Sequence, residues 1–128
     1  MVLKKKYLRL DSLVAYLQTE RDGDEIFLRY NSETIAPQDT KYIKMTKDPA
    51  PLNIEIELSA DQKWVELELW DYDHFSPNDA LGKFKLLVDQ VSQDFTAELV
   101  RSKESDARYV LNWSVIERQN TKATKSQK

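Results

Sequence analysis

Two runs in the middle of the chain alternate apolar and polar side chains without a break. In LNIEIEL, Ile54, Ile56 and Leu58 alternate with Asn53, Glu55 and Glu57; in WVELELW, Val65, Leu67 and Leu69 alternate with Glu66 and Glu68. Successive side chains of a strand point to opposite faces, so this period of two predicts half-buried strands. The short polar segment SADQK joins the two runs, and an antiparallel hairpin is the economical pairing.

The same reading extends along the chain. Tyr7 to Leu17 is apolar but interrupted by Asp11-Ser12, which predicts one long bent strand or two short ones, with a helix as the competing reading. Asp22-Gly23 is a turn dipeptide, and EIFLRY after it alternates with Ile26, Leu28 and Tyr30 on one side and Glu25, Phe27 and Arg29 on the other. Asn31 to Gln38 reads as a loop around Pro37, and KYIKM as a short strand. Beyond Gly82, Phe84 and Leu86 alternate with Lys83 and Lys85 in KFKLLV; Asp89 to Asp94 has room for one helical turn. FTAELV is a weaker strand pattern, whereas RYVLNWSVI sets Tyr109, Leu111, Trp113 and Val115 on one face. The pattern yields about eight short strands with no long helix between them, which points to an all-β, antiparallel sandwich. Residues 1–117 form one domain in this reading, and the polar, basic segment 118–128 (RQNTKATKSQK) reads as a disordered tail.

Composition narrows the function. A chain of 128 residues is long enough for one core and too short for two ordinary ones. A formal net charge of -3 gives no broad basic footprint for nucleic acid. Two glycines cannot supply a phosphate-cradling loop, and the lack of cysteine removes disulfides, zinc–thiolate sites and cysteine nucleophiles. The opening MVLKKKYLRLDSLVAYL has no uninterrupted apolar segment of signal-peptide length, and no stretch approaches the roughly 20 apolar residues of a membrane span. A soluble, cytoplasmic protein is the expectation, one that meets a membrane only from its surface; the oligomeric state is left open.

The chemistry-bearing stretch is WDYDHFSPNDALG, residues 70–82, where Asp71, Asp73 and Asp79 gather at the end of a predicted strand. Such residues often do no more than hold a turn in water. Three carboxylates at one loop mouth repel one another unless a cation or proton neutralises them, and hard oxygen ligands of this kind suit calcium. An EF-hand is excluded, because its sixth position wants glycine and its twelfth glutamate, where this loop has Ser76 and Gly82. A DxDx(T/V) phosphotransferase fails at Phe75. His74 is the only histidine and no GxSxG elbow presents a serine, so nucleophilic hydrolysis is unsupported and an enzyme is not expected.

The stretch WVELELWDYDHFSPNDALGKFKL resembles the third calcium-binding loop of C2 domains, with its D-aromatic-D-x-F-S-x-x-D-aliphatic-G pattern between two strands. DGDEIFLRY is similar, more loosely, to the family's SDPYVKV segment, with Asp24 as the counterpart of its aspartate and Glu25 where the family has proline. The resemblance implies an eight-stranded Greek-key sandwich acting as a non-enzymatic binding module. It implies calcium bound by Asp24, Asp71, Asp73 and Asp79; Gln18 stands where the family has another aspartate, so Glu20 or Asp22 is the substitute. It further implies docking on anionic phospholipid, with Phe75 in the place of the inserting residue and His74 beside it as a second membrane contact. The alternative is a calcium-independent protein-interaction or scaffolding domain. Lys41, Lys44 and Lys47 offer a basic surface for phosphoinositide or an acidic protein, although edge lysines more commonly discourage aggregation. Trp64 and Trp70 share the polar face of their strand and mark either a partner-binding surface or one covered from within the fold; Trp113 belongs to the core.

Overall fold

The computed structural model describes residues 3–17, 23–103 and 105–120. Ten strands occur among them, and no helix: β1 (Leu3–Leu17), β2 (Glu25–Tyr30), β3 (Glu33–Ala36), β4 (Ile43–Lys44), β5 (Ala50–Leu58), β6 (Trp64–Asp71), β7 (Asp79–Leu87), β8 (Ser92–Glu98), β9 (Val100–Arg101) and β10 (Arg108–Asn120). They form two sheets, with all pairings antiparallel. One has the order β5-β1-β10-β8; the other runs β3-β2-β6-β7-β9, with β4 also on β2. The alternating faces pack together as a sandwich. Leu8, Leu10, Leu13, Leu111 and Val115 from the first sheet meet Ile26, Leu28, Val65, Leu67, Leu69, Phe84 and Leu86 from the second, all buried.

β1 is a single long strand, and its interruption explains its pattern. Leu10 and Leu13 are three residues apart, which in a regular strand puts them on opposite faces. The register slips by one between Leu10 and Ser12, so Asp11 is inserted as a bulge and both leucines reach the core. A second irregularity lies between Ala15 and Leu17, at Tyr16, which is exposed.

Four expectations differ from the structure. SADQK does not close a hairpin: β5 pairs with β1, whereas β6 pairs with β2 and β7, so this segment crosses from one sheet to the other. The two alternating runs therefore put their apolar faces toward each other through the core instead of lying side by side. Residues 31–38 are not all loop, because Asn31 and Ser32 both adopt positive φ (51° and 66°) and form a tight turn that folds β3 back onto β2. No helical turn forms at 89–94; β8 has already begun at Ser92. At the carboxyl end β10 continues through Asn120. The Arg118 guanidinium donates to both carboxylate oxygens of Glu55 at 2.5 and 2.7 Å and stands 5.2 Å from the Tyr7 ring centre. The first three residues of the expected tail are thus strand, and 121–128 lie outside the described residues. Among the described residues no helix is long and apolar enough to cross a membrane.

Candidate functional site

The carboxyl ends of β1 and β6 and the amino ends of β2, β7 and β10 meet at one end of the sandwich, and this end carries the acids. Asp71, the last residue of β6, is paired across the strand with Asp79, the first residue of β7, and on its other side with Ile26. Both aspartates line a cavity of about 450 Å³ together with Ser102, Lys103 and Ser105. Like charges directly opposite on neighbouring strands destabilise a sheet. The sequence places them there because the loop between β6 and β7 starts and ends on an acid.

Asp24, Asp71 and Asp73 accept hydrogen bonds from within the fold. Asp24 is fully buried, and its Oδ2 accepts a 2.6 Å bond from the Tyr109 hydroxyl on β10. Its carbonyl accepts from the Met45 N–H, fastening the segment before β2 to the one after β4. Asp71 Oδ1 accepts from the Glu25 N–H at 3.3 Å. Asp73 folds back on its own loop: Oδ1 accepts from the N–H groups of Phe75 and Ser76 at 2.9 and 3.2 Å, and Oδ2 from the Ser76 hydroxyl at 2.6 Å. The Ser76 hydroxyl, followed by the Phe75 N–H, holds the Asp73 carboxyl below its ordinary pKa, since each bond favours the ionised form. The Asn78 side-chain oxygen accepts from the Asp73 N–H at 2.8 Å and closes the loop.

This arrangement decides the fit to a cation. Calcium wants six to eight converging oxygens. Of the expected ligands within the described residues, only Asp71 and Asp79 share a cavity; Asp24 points to Tyr109, and Asp73 has both oxygens occupied by its own loop. No group of three His, Cys, Asp or Glu able to hold a metal occurs among the described residues. Glu20 and Asp22, with Gln18, lie outside them. As arranged, the described acids do not form a calcium cage.

The two expected membrane contacts behave differently from each other. Phe75 is 99% exposed, at the tip of the loop. His74, with a side chain 47% exposed, leans on the sandwich: its ring meets Tyr72 edge-on at 4.9 Å and Tyr42 edge-on at 5.6 Å, and its Nε2 lies 3.4 Å from Glu25 Oε1. Tyr42 and Tyr72 stack on each other at 5.3 Å, and Lys41 Nζ stands 5.9 Å from the Tyr72 ring. The Glu25 carboxylate beside it raises the Tyr42 hydroxyl above the ordinary phenol range, chiefly by accepting its hydrogen bond. The Tyr72 N–H donates to the Glu25 carbonyl at 2.6 Å. Glu25, Tyr42 and Tyr109 had no distinguishing signal in the sequence, because each acts on a partner from a different part of the fold; Asn78 acts within its own loop.

Of the secondary surfaces, Lys41, Lys44 and Lys47 are all exposed. On the outer face of the larger sheet Trp70 stacks on Phe27 at 6.3 Å, carries Arg29 5.2 Å from its ring centre and donates its indole N–H to Glu68 at 3.2 Å. Trp70 is therefore covered in large part from within the fold, whereas Trp64 is 60% exposed. Trp113 is buried against Phe95, as its apolar stripe requires.

No protein-family model and no curated protein matches the sequence. Among solved structures, a C2 domain of a plant extended synaptotagmin 1, the domain labelled A, is similar, with a TM-score of 0.61 and 14% sequence identity over 92% of this chain and 96% of that one. The two antiparallel sheets and the near-complete mutual coverage establish that this chain has a C2-like β-sandwich fold.

Proposed function

We propose that the chain is a non-enzymatic, C2-type binding module that docks peripherally on anionic phospholipid through the loop between β6 and β7, with Phe75 as the inserting side chain. The observation that carries this reading is the 99% exposure of Phe75 on a loop whose other members are tied down by Asp73, Asn78 and His74. A fully exposed phenylalanine gains nothing from the folded state, and burying it in a bilayer interface gains about 1.5–3 kcal/mol. Asp71 and Asp73 already accept hydrogen bonds from protein donors, and docking in this reading is independent of calcium.

A second reading, in which calcium completes the surface, is supported by one specific feature: the cross-strand pair Asp71–Asp79, two carboxylates facing each other beside a cavity. Calcium would be held there by Asp71 and Asp79, with Asp24 and Asp73 released from Tyr109 and Ser76, and with Glu20 or Asp22 completing the set. Its charge would neutralise the pair.

Co-sedimentation with vesicles containing phosphatidylserine tests both readings. Binding in chelator that falls about tenfold on Phe75→Ala supports the first. Binding only with calcium, abolished by Asp71→Asn with Asp79→Asn, supports the second; there, calcium at 100 times its Kd should also stabilise the fold by about 2.7 kcal/mol. Absence of vesicle binding with and without calcium refutes docking and leaves the protein-interaction module.

A further inference from the structure

The loop that carries Phe75 is fixed at its base by contacts belonging to a different part of the chain. His74 is exposed too, its side chain at 47%, but unlike its neighbour it has one side of its ring engaged by the fold. Its ring fills the corner made by Tyr72, in the same loop, and Tyr42, which precedes β4, and its Nε2 reaches Glu25 at the start of β2. With the His74 ring laid against two tyrosines at 4.9 and 5.6 Å, the Phe75 side chain is left pointing into solvent, its ring centre 6.4 Å from that of His74. Asp73 accepts from the Phe75 N–H and fixes its backbone. Phe75 is thus held between an aromatic clamp and a hydrogen-bonded turn.

We infer that His74 and Tyr42 are positioning residues for docking: the Tyr42–His74–Tyr72 clamp, braced by Glu25, holds Phe75 in the orientation that inserts, and His74 itself does not enter the bilayer. This rests on the docking reading above. It reassigns His74 from a membrane contact to a support, and it brings in Tyr42, which lies far from the loop in sequence. The physical gain is preorganisation. A loop already ordered loses little conformational freedom when its tip inserts, whereas a loose loop must be ordered on binding. Edge-to-face ring packing of this kind is directional, so it fixes an orientation as well as a distance.

Tyr42 makes the test clean, because its substitution leaves every residue of the β6–β7 loop unchanged. Binding to phosphatidylserine vesicles is measured for the parent chain, Tyr42→Ala, Phe75→Ala and the double variant, with melting temperature and amide exchange of residues 72–76 recorded for each. The expected result is faster exchange in the loop of Tyr42→Ala, weaker vesicle binding, and a Phe75→Ala effect that shrinks from about tenfold in the parent to less than about threefold in the Tyr42→Ala background. His74→Phe, which keeps an aromatic ring in the corner, should keep the slow exchange, and His74→Ala should lose it. An unchanged Phe75→Ala effect in the Tyr42→Ala background overturns the inference while leaving docking intact. No Phe75→Ala effect in the parent chain overturns the docking reading itself.

Discussion

Replacing Tyr109 by phenylalanine removes one oxygen and nothing else, at the place where the two sheets are tied together beneath the acidic loops. Tyr109 is 1% exposed and Asp24 is 0% exposed; they are 85 positions apart, and the phenol donates to the carboxylate at 2.6 Å. A hydrogen bond to a charged group contributes about 1.5–3 kcal/mol, and most of that is expected here because phenylalanine preserves the packing of the ring. Tyr109→Phe should therefore lower the unfolding free energy by about 2 kcal/mol. For a domain of this size that corresponds to a fall in Tm of roughly 6–12 °C. Urea unfolding followed by tryptophan fluorescence measures it, with the slope unchanged if only stability has altered. Combining Tyr109→Phe with Asp24→Asn isolates the pair: the double variant should be less destabilised than the sum of the two single changes, by about 1 kcal/mol or more. If Tyr109→Phe falls within about 0.5 kcal/mol of the parent, the Tyr109 hydroxyl does not anchor Asp24.

Other consequences follow from the same structure. Gly82 has a φ of +155°, and a Cβ there would come within 2.3 Å of the Val100 carbonyl oxygen and 3.0 Å of Arg101 Cα; Gly82→Ala should push β9 off β7 and cost about 3 kcal/mol in chemical denaturation. Arg118 holds the Glu55 carboxyl below its ordinary value of 4.5, chiefly through its hydrogen bonds. A depressed folded-state pKa stabilises above the unfolded value and loses that contribution as pH falls through the folded one. Arg118→Gln should accordingly cause a small fall in the urea midpoint at pH 7, small because water screens a pair at the surface, and the difference should vanish in acid once Glu55 is protonated. Ser76→Ala should move the Asp73 carboxyl back up toward its ordinary value in an NMR titration, since the Ser76 hydroxyl is the largest cause of its depression. An unmoved titration contradicts that assignment.

The strands were legible where burial is one-sided. Val65, Leu67 and Leu69 alternate with glutamates because β6 has one face in the core and the other in solvent, and Trp113 was placed correctly because its neighbours Leu111 and Val115 share its stripe. Pairing was less legible, since alternation states which face is buried and not which strand lies alongside. SADQK is short enough for a hairpin and equally suited to crossing the roughly 10 Å between stacked sheets. The turn at Asn31-Ser32 lacked the glycine that usually announces two positive φ values.

At the site, local spacing identified the loop and gathered its three acids; that Asp71 faces Asp79 across neighbouring strands is set by the pairing of β6 with β7. What the acids do depends on donors supplied from elsewhere. Tyr109 reaches Asp24 only because β10 begins next to the end of β1, and Tyr42 reaches His74 only because β4 pairs with Glu25 at the start of β2. A pattern read along the chain assigns Asp24 to a cation and His74 to the membrane; it carries no sign that Asp24 accepts from the Tyr109 hydroxyl or that the His74 ring meets Tyr42 and Tyr72.

The most direct test of docking uses a property of the sequence: it contains no cysteine. A single cysteine beside the tip of the loop, in Pro77→Cys, and another at the opposite end of the sandwich, in Val91→Cys, each take an environment-sensitive fluorophore such as NBD at one site, with Phe75 kept; Pro77 is exposed and Val91 is 52% exposed, so both labels start in water. On titration with phosphatidylserine vesicles in chelator, the label at position 77 should shift to the blue and brighten while the label at position 91 stays unchanged. No shift at position 77, or an equal shift at both positions, contradicts docking through the β6–β7 loop.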